Sequence, residues 1–156
     1  MLLAIDPGNV ESAWVMYDDE NKIPISFAKE VNKDVSDQFK EFKEKTDLLV
    51  IEMIACYGMP VGESVFQTCV WIGRYAQLWE SLGGKVEFLF RKDVKMTLCH
   101  TMKAKDSNIR QAIMDRYGST REVAIGTKKS PGVLYGCKKD IWAALGVAIS
   151  WSEKRD

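Results

Sequence analysis

Apolar residues come in short blocks through the first third of the chain. Residues 2–6 (LLAID) and 12–17 (SAWVMY) are rich in β-formers and flank a Pro-Gly-Asn turn, and residues 23–31 (IPISFAKEV) follow the polar turn at 18–21. The pattern predicts an antiparallel meander of three strands. Between 34 and 45, Val35, Phe39 and Phe42 recur at helical spacing among charges, predicting a short amphipathic helix. Residues 48–54 (LLVIEMI) are almost unbroken apolar sequence, as in a central strand, and Glu52 interrupts them.

The loop CYGMPVG leads into a long helical stretch over 63–82, whose apolar residues leave only a narrow polar face. Trp71, Tyr75 and Trp79 are expected there as core or subunit-interface residues. Gly83-Gly84 ends it, and 85–90 (KVEFLF) is a fifth strand. Asp106 is placed to cap a helix running to about 117 and closed by Gly118; 119–137 reads as basic loop, and 139–152 as a last, apolar helix. The order is three strands, helix, strand, helix, strand, helix, helix. A βαβ unit joined to a meander implies an α/β fold: a mixed five-stranded sheet with helices on both faces. No repeat, low-complexity segment or linker interrupts the chain, so residues 1–156 are expected to form one domain.

Composition narrows the class. No apolar stretch approaches the ~20 residues that span a bilayer, and no basic-then-apolar leader opens the chain. Cys56, Cys69, Cys99 and Cys137 are scattered without a C-x-x-C pair, which suits reduced, buried thiols in a cytoplasmic protein better than zinc or disulfides. The net charge is zero, but its distribution is uneven. Residues 1–90 hold 8 Lys and Arg against 15 Asp and Glu, and residues 91–156 hold 14 against 7. The basic half offers a surface for a polyanion, unless the two halves neutralise each other. Neither common nucleotide-binding glycine motif is present, so no nucleotide cofactor is expected.

Three carboxylates stand out. Asp6 ends an apolar strand, Glu52 lies in the most apolar one, and Asp140 opens the last helix after Lys138-Lys139. Each has a structural alternative: a turn former, a salt-bridge partner and an N-cap. If strands 2–6 and 48–53 are neighbours, Asp6 and Glu52 sit at corresponding ends. Carboxylates without thiols, and with one histidine (His100) in the chain, suit a hard cation such as Mg²⁺, with Mn²⁺ as a substitute. Such ions can activate water against a phosphodiester.

These residues carry a resemblance. "AIDPGN", "VIEMIACYG" and "KKDIWAALGVAIS", in this order and spacing, resemble the ribonuclease H-like nucleases, and within them the RuvC-type Holliday junction resolvases. "AKDSNIRQAIMDRYG" and "KKSPGVLYG" are similar to the phage and prophage group. The resemblance implies a homodimeric, Mg²⁺-dependent endonuclease of the bacterial host cytoplasm that cuts branched DNA by paired nicks. Asp6, Glu52 and Asp140 would be its catalytic metal ligands. It departs from the cellular enzymes on the last helix, where they carry an acid-x-x-Asp or His-x-x-Asp pair. Here Asp140 matches the first position and Ala143 the second. Asp106 and Glu153 are candidates for a fourth ligand, with Asp106 favoured only as an N-cap.

For DNA, the sequence offers Arg91 and Lys92 after a strand, Lys103 and Lys105 before a helix, and Lys128, Lys129, Lys138 and Lys139 before the last helix. Tyr57 and Met59, just past Glu52, could wedge or stack at a junction, or cap the core. Two rival readings use the same features: a ribonuclease H-type nuclease on another substrate, and a non-cleaving junction-binding module suggested by Ala143.

Overall fold

The computed structural model describes residues 1–155. Asp156, the last residue of the expected domain, lies outside them. Strands β1 (Leu2–Asp6), β2 (Glu11–Asp18), β3 (Ile23–Val31), β4 (Leu48–Met53) and β5 (Lys85–Phe90) form one sheet in the order β3-β2-β1-β4-β5. The meander pairs antiparallel, whereas β1, β4 and β5 run parallel. The mixed five-stranded α/β sheet expected from the sequence is therefore present.

Alternation along the strands sorts the core onto two faces. Leu3, Ile5, Trp14, Met16, Leu49 and Ile51 pack against α1 (Asn32–Asp37), α2 (Phe39–Lys43) and α3 (Glu63–Ser81) through Val35, Phe39, Phe42, Ile72, Tyr75 and Trp79. Leu2, Ala4, Ala13, Val15, Tyr17 and Val50 face α4 (Arg91–Cys99), α5 (Asp106–Tyr117) and α7 (Ile141–Glu153). Helix α7 is buried on nearly every side, which explains why its sequence is apolar all round. Tyr75 and Trp79 are core residues, while Phe66 and Val70 of the same helix are 62% and 59% exposed.

Several expectations need correction. The helix over 34–45 is two pieces that break at Gln38, whose amide donates to the Asp34 carbonyl and the Glu30 carboxylate. Residues 91–99, with no helix expected, form α4; only Val94 and Leu98 of it are buried, too few to mark a face in the sequence. The loop at 119–137 holds a short helix, α6 (Arg121–Ala124), and the last helix starts at Ile141 rather than 139. Cys56 and Cys69 are exposed rather than buried, although all four thiols are free. Among the described residues no helix is long and apolar enough to cross a membrane.

Candidate active site

Register assembles the site. β1 and β4 are parallel neighbours with Ile5 beside Ile51, so the next residues, Asp6 and Glu52, fall side by side at the strands' C-terminal ends. Strand parity then turns both toward α7, the face that Ala4 and Val50 also line. The same cross-strand row continues from Asp6 to Ala13 on β2 and from Ala13 to Lys29 on β3. Asp140 arrives over this row from the N-terminus of α7, and Arg91 arrives from the start of α4.

A buried polar network fixes the turn that follows Asp6. The Gly8 amide donates to Ser12 Oγ at 3.2 Å, and Asn32 Nδ2 donates to the Gly8 carbonyl at 2.9 Å. Ser12 Oγ donates to Asn32 Oδ1 at 2.6 Å, and the Tyr75 hydroxyl reaches both side chains, at 3.1 and 3.0 Å. A Cβ on Gly8 would stand 2.3 Å from the Glu11 carbonyl oxygen, so the Asp-Pro-Gly turn requires glycine there. Asp6 ends β1, and the turn after it is anchored by one residue each from β2, α1 and α3.

The electrostatics are those of crowded acids. Burial, then the negative charges of Glu52 and Asp140, push the Asp6 carboxyl up to about 8, against partial relief from Arg91 and Lys29. Burial also raises Glu52; Arg91 opposes that rise and Asp106 adds to it. Glu52 Oε2 and Arg91 Nη1 face each other at 3.7 Å, and both are buried without a hydrogen-bond partner. The far side of the same guanidinium donates to Asp106 Oδ1 at 2.5 Å. On the opposite flank, Lys29 Nζ lies 2.6 Å from Asp140 Oδ2 and 3.6 Å from Glu11 Oε2. That contact raises the Lys29 ammonium.

The alternatives for the three acids can now be weighed. Asp140 occupies the N-cap position of α7 but makes no capping bond, because its carboxylate is turned to Lys29. Glu52 does have a cationic neighbour, at a distance too long for a hydrogen bond. Asp106 is not an N-cap: Lys105 holds that position, and Asp106 is the first helical residue, with Arg91 on its carboxylate. Glu153 sits at the far end of α7, where Arg116 grips both its oxygens at 2.6 and 3.0 Å. Asp106 therefore belongs to the acidic centre and Glu153 does not.

The donor set fits a hard divalent ion. It is all oxygen, it includes a buried carboxylate oxygen with no partner, and its negative charges repel one another. It is not a ready-made cage: among the described residues no three acidic, histidine or cysteine side chains converge on one point. Asp140 has its carboxylate paired with Lys29.

The expected DNA contacts divide. Lys139 is shared by a cavity of about 210 Å³, lined by Arg91, Asp106, Arg110, Asp140 and Ala143, and a groove of about 510 Å³, lined by Glu11, Phe27, Lys29 and Lys138. Arg91, Lys138 and Lys139 thus border the acids. Lys139 also holds a left-handed backbone (φ 50°), a strained conformation for lysine directly before Asp140. Tyr57, again left-handed (φ 50°), shares a small pocket with Arg91, Lys92, Lys95 and Met102. Tyr57 and Met59 are 65% and 71% exposed and do not cap the core. Lys103, Lys105, Lys128 and Lys129 are exposed and line none of these cavities. Sequence reading missed Lys29, Ser12, Asn32 and Tyr75 as supporting residues. A charge sharing the parity of Phe27 in a half-buried strand was the available signal for Lys29.

No protein-family model matches the sequence, and no curated protein sequence matches it. Solved structures do. The chain is similar to RuvC of Thermus thermophilus, with 13% identity over 99% of this chain and 95% of that one and a TM-score of 0.70. It is similar to the same protein in complex with a Holliday junction substrate, with 12% identity over 96% and 90% of the two chains and a TM-score of 0.69. A fowlpox virus resolvase in complex with its substrate Holliday junction DNA follows, with 11% identity over 99% of both chains and a TM-score of 0.52. At such identities the likeness is one of architecture, and the chain has the RuvC-type resolvase fold.

Proposed function

We propose that this protein is a divalent-metal-dependent endonuclease that resolves four-way DNA junctions by paired nicks. The observation that carries the reading is the side-by-side placement of Asp6 and Glu52 at the C-terminal ends of β1 and β4, with Asp140 near enough for its charge to act on Asp6. It occurs on a fold shared with two resolvases solved on Holliday junction DNA. Asp6 and Glu52 would hold Mg²⁺ or Mn²⁺, with Asp140 joining them. The ion supplies activation of water and stabilisation of charge at the phosphodiester.

The chain's own residues do the rest. The Ser12–Asn32–Tyr75 network keeps the Asp6 turn rigid, so the carboxylate is presented in one place. Arg91 opposes the rise that burial imposes on Glu52 and so favours its charged form. Lys138, Lys139, Arg91 and Arg110 border the cavities beside the acids and take phosphates without reading sequence. Tyr57 and Met59, exposed on the loop past Glu52, offer apolar surface to unstacked bases at the branch point. Lys92, Lys103, Lys105, Lys128 and Lys129 supply weaker, more distant phosphate contacts.

Two symmetric cuts need two active sites related by a two-fold axis, and a homodimer supplies them. The exposed Phe66 and Val70 on α3 are the apolar surface best suited to that contact. One observation favours a second reading, a non-cleaving junction-binding module: Ala143 stands one turn after Asp140 where a further ligand is expected. Incubation of synthetic four-way junction, linear duplex and RNA–DNA hybrid with the protein and Mg²⁺ separates these. Selective paired nicking of the junction supports resolution, cleavage of the hybrid instead supports a ribonuclease H-type activity, and tight binding without nicking supports the binding module.

A further inference from the structure

Lys29 is the residue of the centre that no motif accounts for. It reaches over Ala13 from two strands away, and it has two acidic partners rather than one: Asp140 at 2.6 Å and Glu11 at 3.6 Å. Asp140 is near enough to Asp6 for its charge to act on it, yet its carboxylate is spent on Lys29 rather than on the other acids. We infer that Lys29 is a positioning residue that holds Asp140 in reserve and releases it to an arriving divalent cation, falling back on Glu11. The inference rests on the metal-dependent reading above.

The physical basis is competition for one carboxylate. Asp6 and Glu52 are fixed side by side on the sheet, and pairing Asp140 with Lys29 offsets the third negative charge beside them. Asp140 stands on a helix terminus, and its carboxylate is more than half exposed, so it can turn. When it turns toward a cation, Lys29, only partly exposed, would lose its ion-pair partner were Glu11 absent. Glu11 lies on β2 with its carboxylate half exposed and already within ion-pair distance, which keeps the exchange inexpensive. The exchange moves no covalent bond. It replaces a Lys29–Asp140 pair by a Lys29–Glu11 pair and a new oxygen ligand for the ion.

Mn²⁺ binding to the full chain, read by electron paramagnetic resonance of the free ion, tests this without DNA or cleavage. Removing the competitor in Lys29→Met should tighten Mn²⁺ binding two- to fivefold, the equivalent of one partly exposed ion pair. Lys29→Arg should stay within twofold of the parent. The gain should vanish in the Asp140→Asn background, since a gain that acts through Asp140 cannot survive its loss. A gain that persists there would be the plain effect of deleting a positive charge near Asp6, and would overturn the inference. Weaker Mn²⁺ binding in Lys29→Met would overturn it too, by showing that the lysine only props Asp140 in place. If the parent shows no Mn²⁺ site that Asp6→Asn removes, the metal-dependent reading itself fails, and this inference falls with it.

Discussion

Lys29 and Asp6 occupy one cross-strand row, two strands apart, with Ala13 alone between them. The lysine extends past this small residue to Asp140, and its charge partly offsets the burial that raises Asp6. The fold thus places one cation on each flank of the acids, Lys29 beside Asp140 and Arg91 beside Glu52.

Replacing Asp6 should stabilise the metal-free protein in a pH-dependent way. Its carboxyl is pushed up to about 8 in the folded chain, against an ordinary value of 3.8. A raised acid leaves stability intact below the unfolded value and erodes it as pH climbs through the folded one. Asp6→Asn should therefore match the parent near pH 3, gain on it between pH 4 and 8, and level off above. At ~1.4 kcal/mol per pH unit, the span from 3.8 to about 8 sets an upper limit of about 6 kcal/mol on the plateau. Urea unfolding at several pH values in the presence of a chelator measures it. An equal effect at pH 3 and pH 9 would contradict the assigned environment.

Much of this arrangement could be read from the chain, for a local reason. The bounds of β1, β3 and β5 follow from contiguous apolar blocks, and the Asp-Pro-Gly turn announces the strand end at which Asp6 stands. Glu52 was conspicuous because a charge in so apolar a strand demands a purpose. What escaped was non-local. Lys29 acquires meaning only from the order β3-β2-β1 and the register that aligns it with Asp6. Asp106 looked like a helix cap because its partner, Arg91, lies on a helix with only two buried residues and no visible periodicity.

The polar anchor of the Asp6 turn should matter to both stability and activity. Tyr75→Phe removes a fully buried hydroxyl that reaches Ser12 and Asn32, and should cost ~1–2 kcal/mol in denaturant unfolding. Cleavage should slow while junction binding holds, because the loosened turn misplaces a carboxylate and not a phosphate contact. An unaltered cleavage rate would detach the network from the site.

Junction affinity should fall steeply with salt, by roughly 0.9 log units per log unit of salt for each neutralised phosphate. Replacing Lys138 and Lys139 together should lower that slope by up to ~1.8 and weaken junction and linear duplex alike. A titration of binding against KCl checks this, and a slope unchanged by the double substitution would remove these lysines from the interface.

Phe66→Asp should yield a folded monomer, because Phe66 is exposed on α3 and contributes no core packing. A charge at Tyr75, fully buried, should unfold the chain instead. Light scattering with circular dichroism separates the two outcomes. A parent protein that is monomeric both free and on the junction would defeat the dimer.

The most direct test of the account is cleavage of a synthetic four-way junction by the parent and by Glu52→Gln, with and without Mg²⁺. The account predicts paired, symmetric nicks by the parent only when Mg²⁺ is present. It predicts no cleavage by Glu52→Gln, with junction binding preserved, because the substitution removes a buried charge without disturbing β4 or the basic rim. Cleavage by Glu52→Gln at the parent's rate, or the absence of any metal-dependent nicking by the parent, would contradict it.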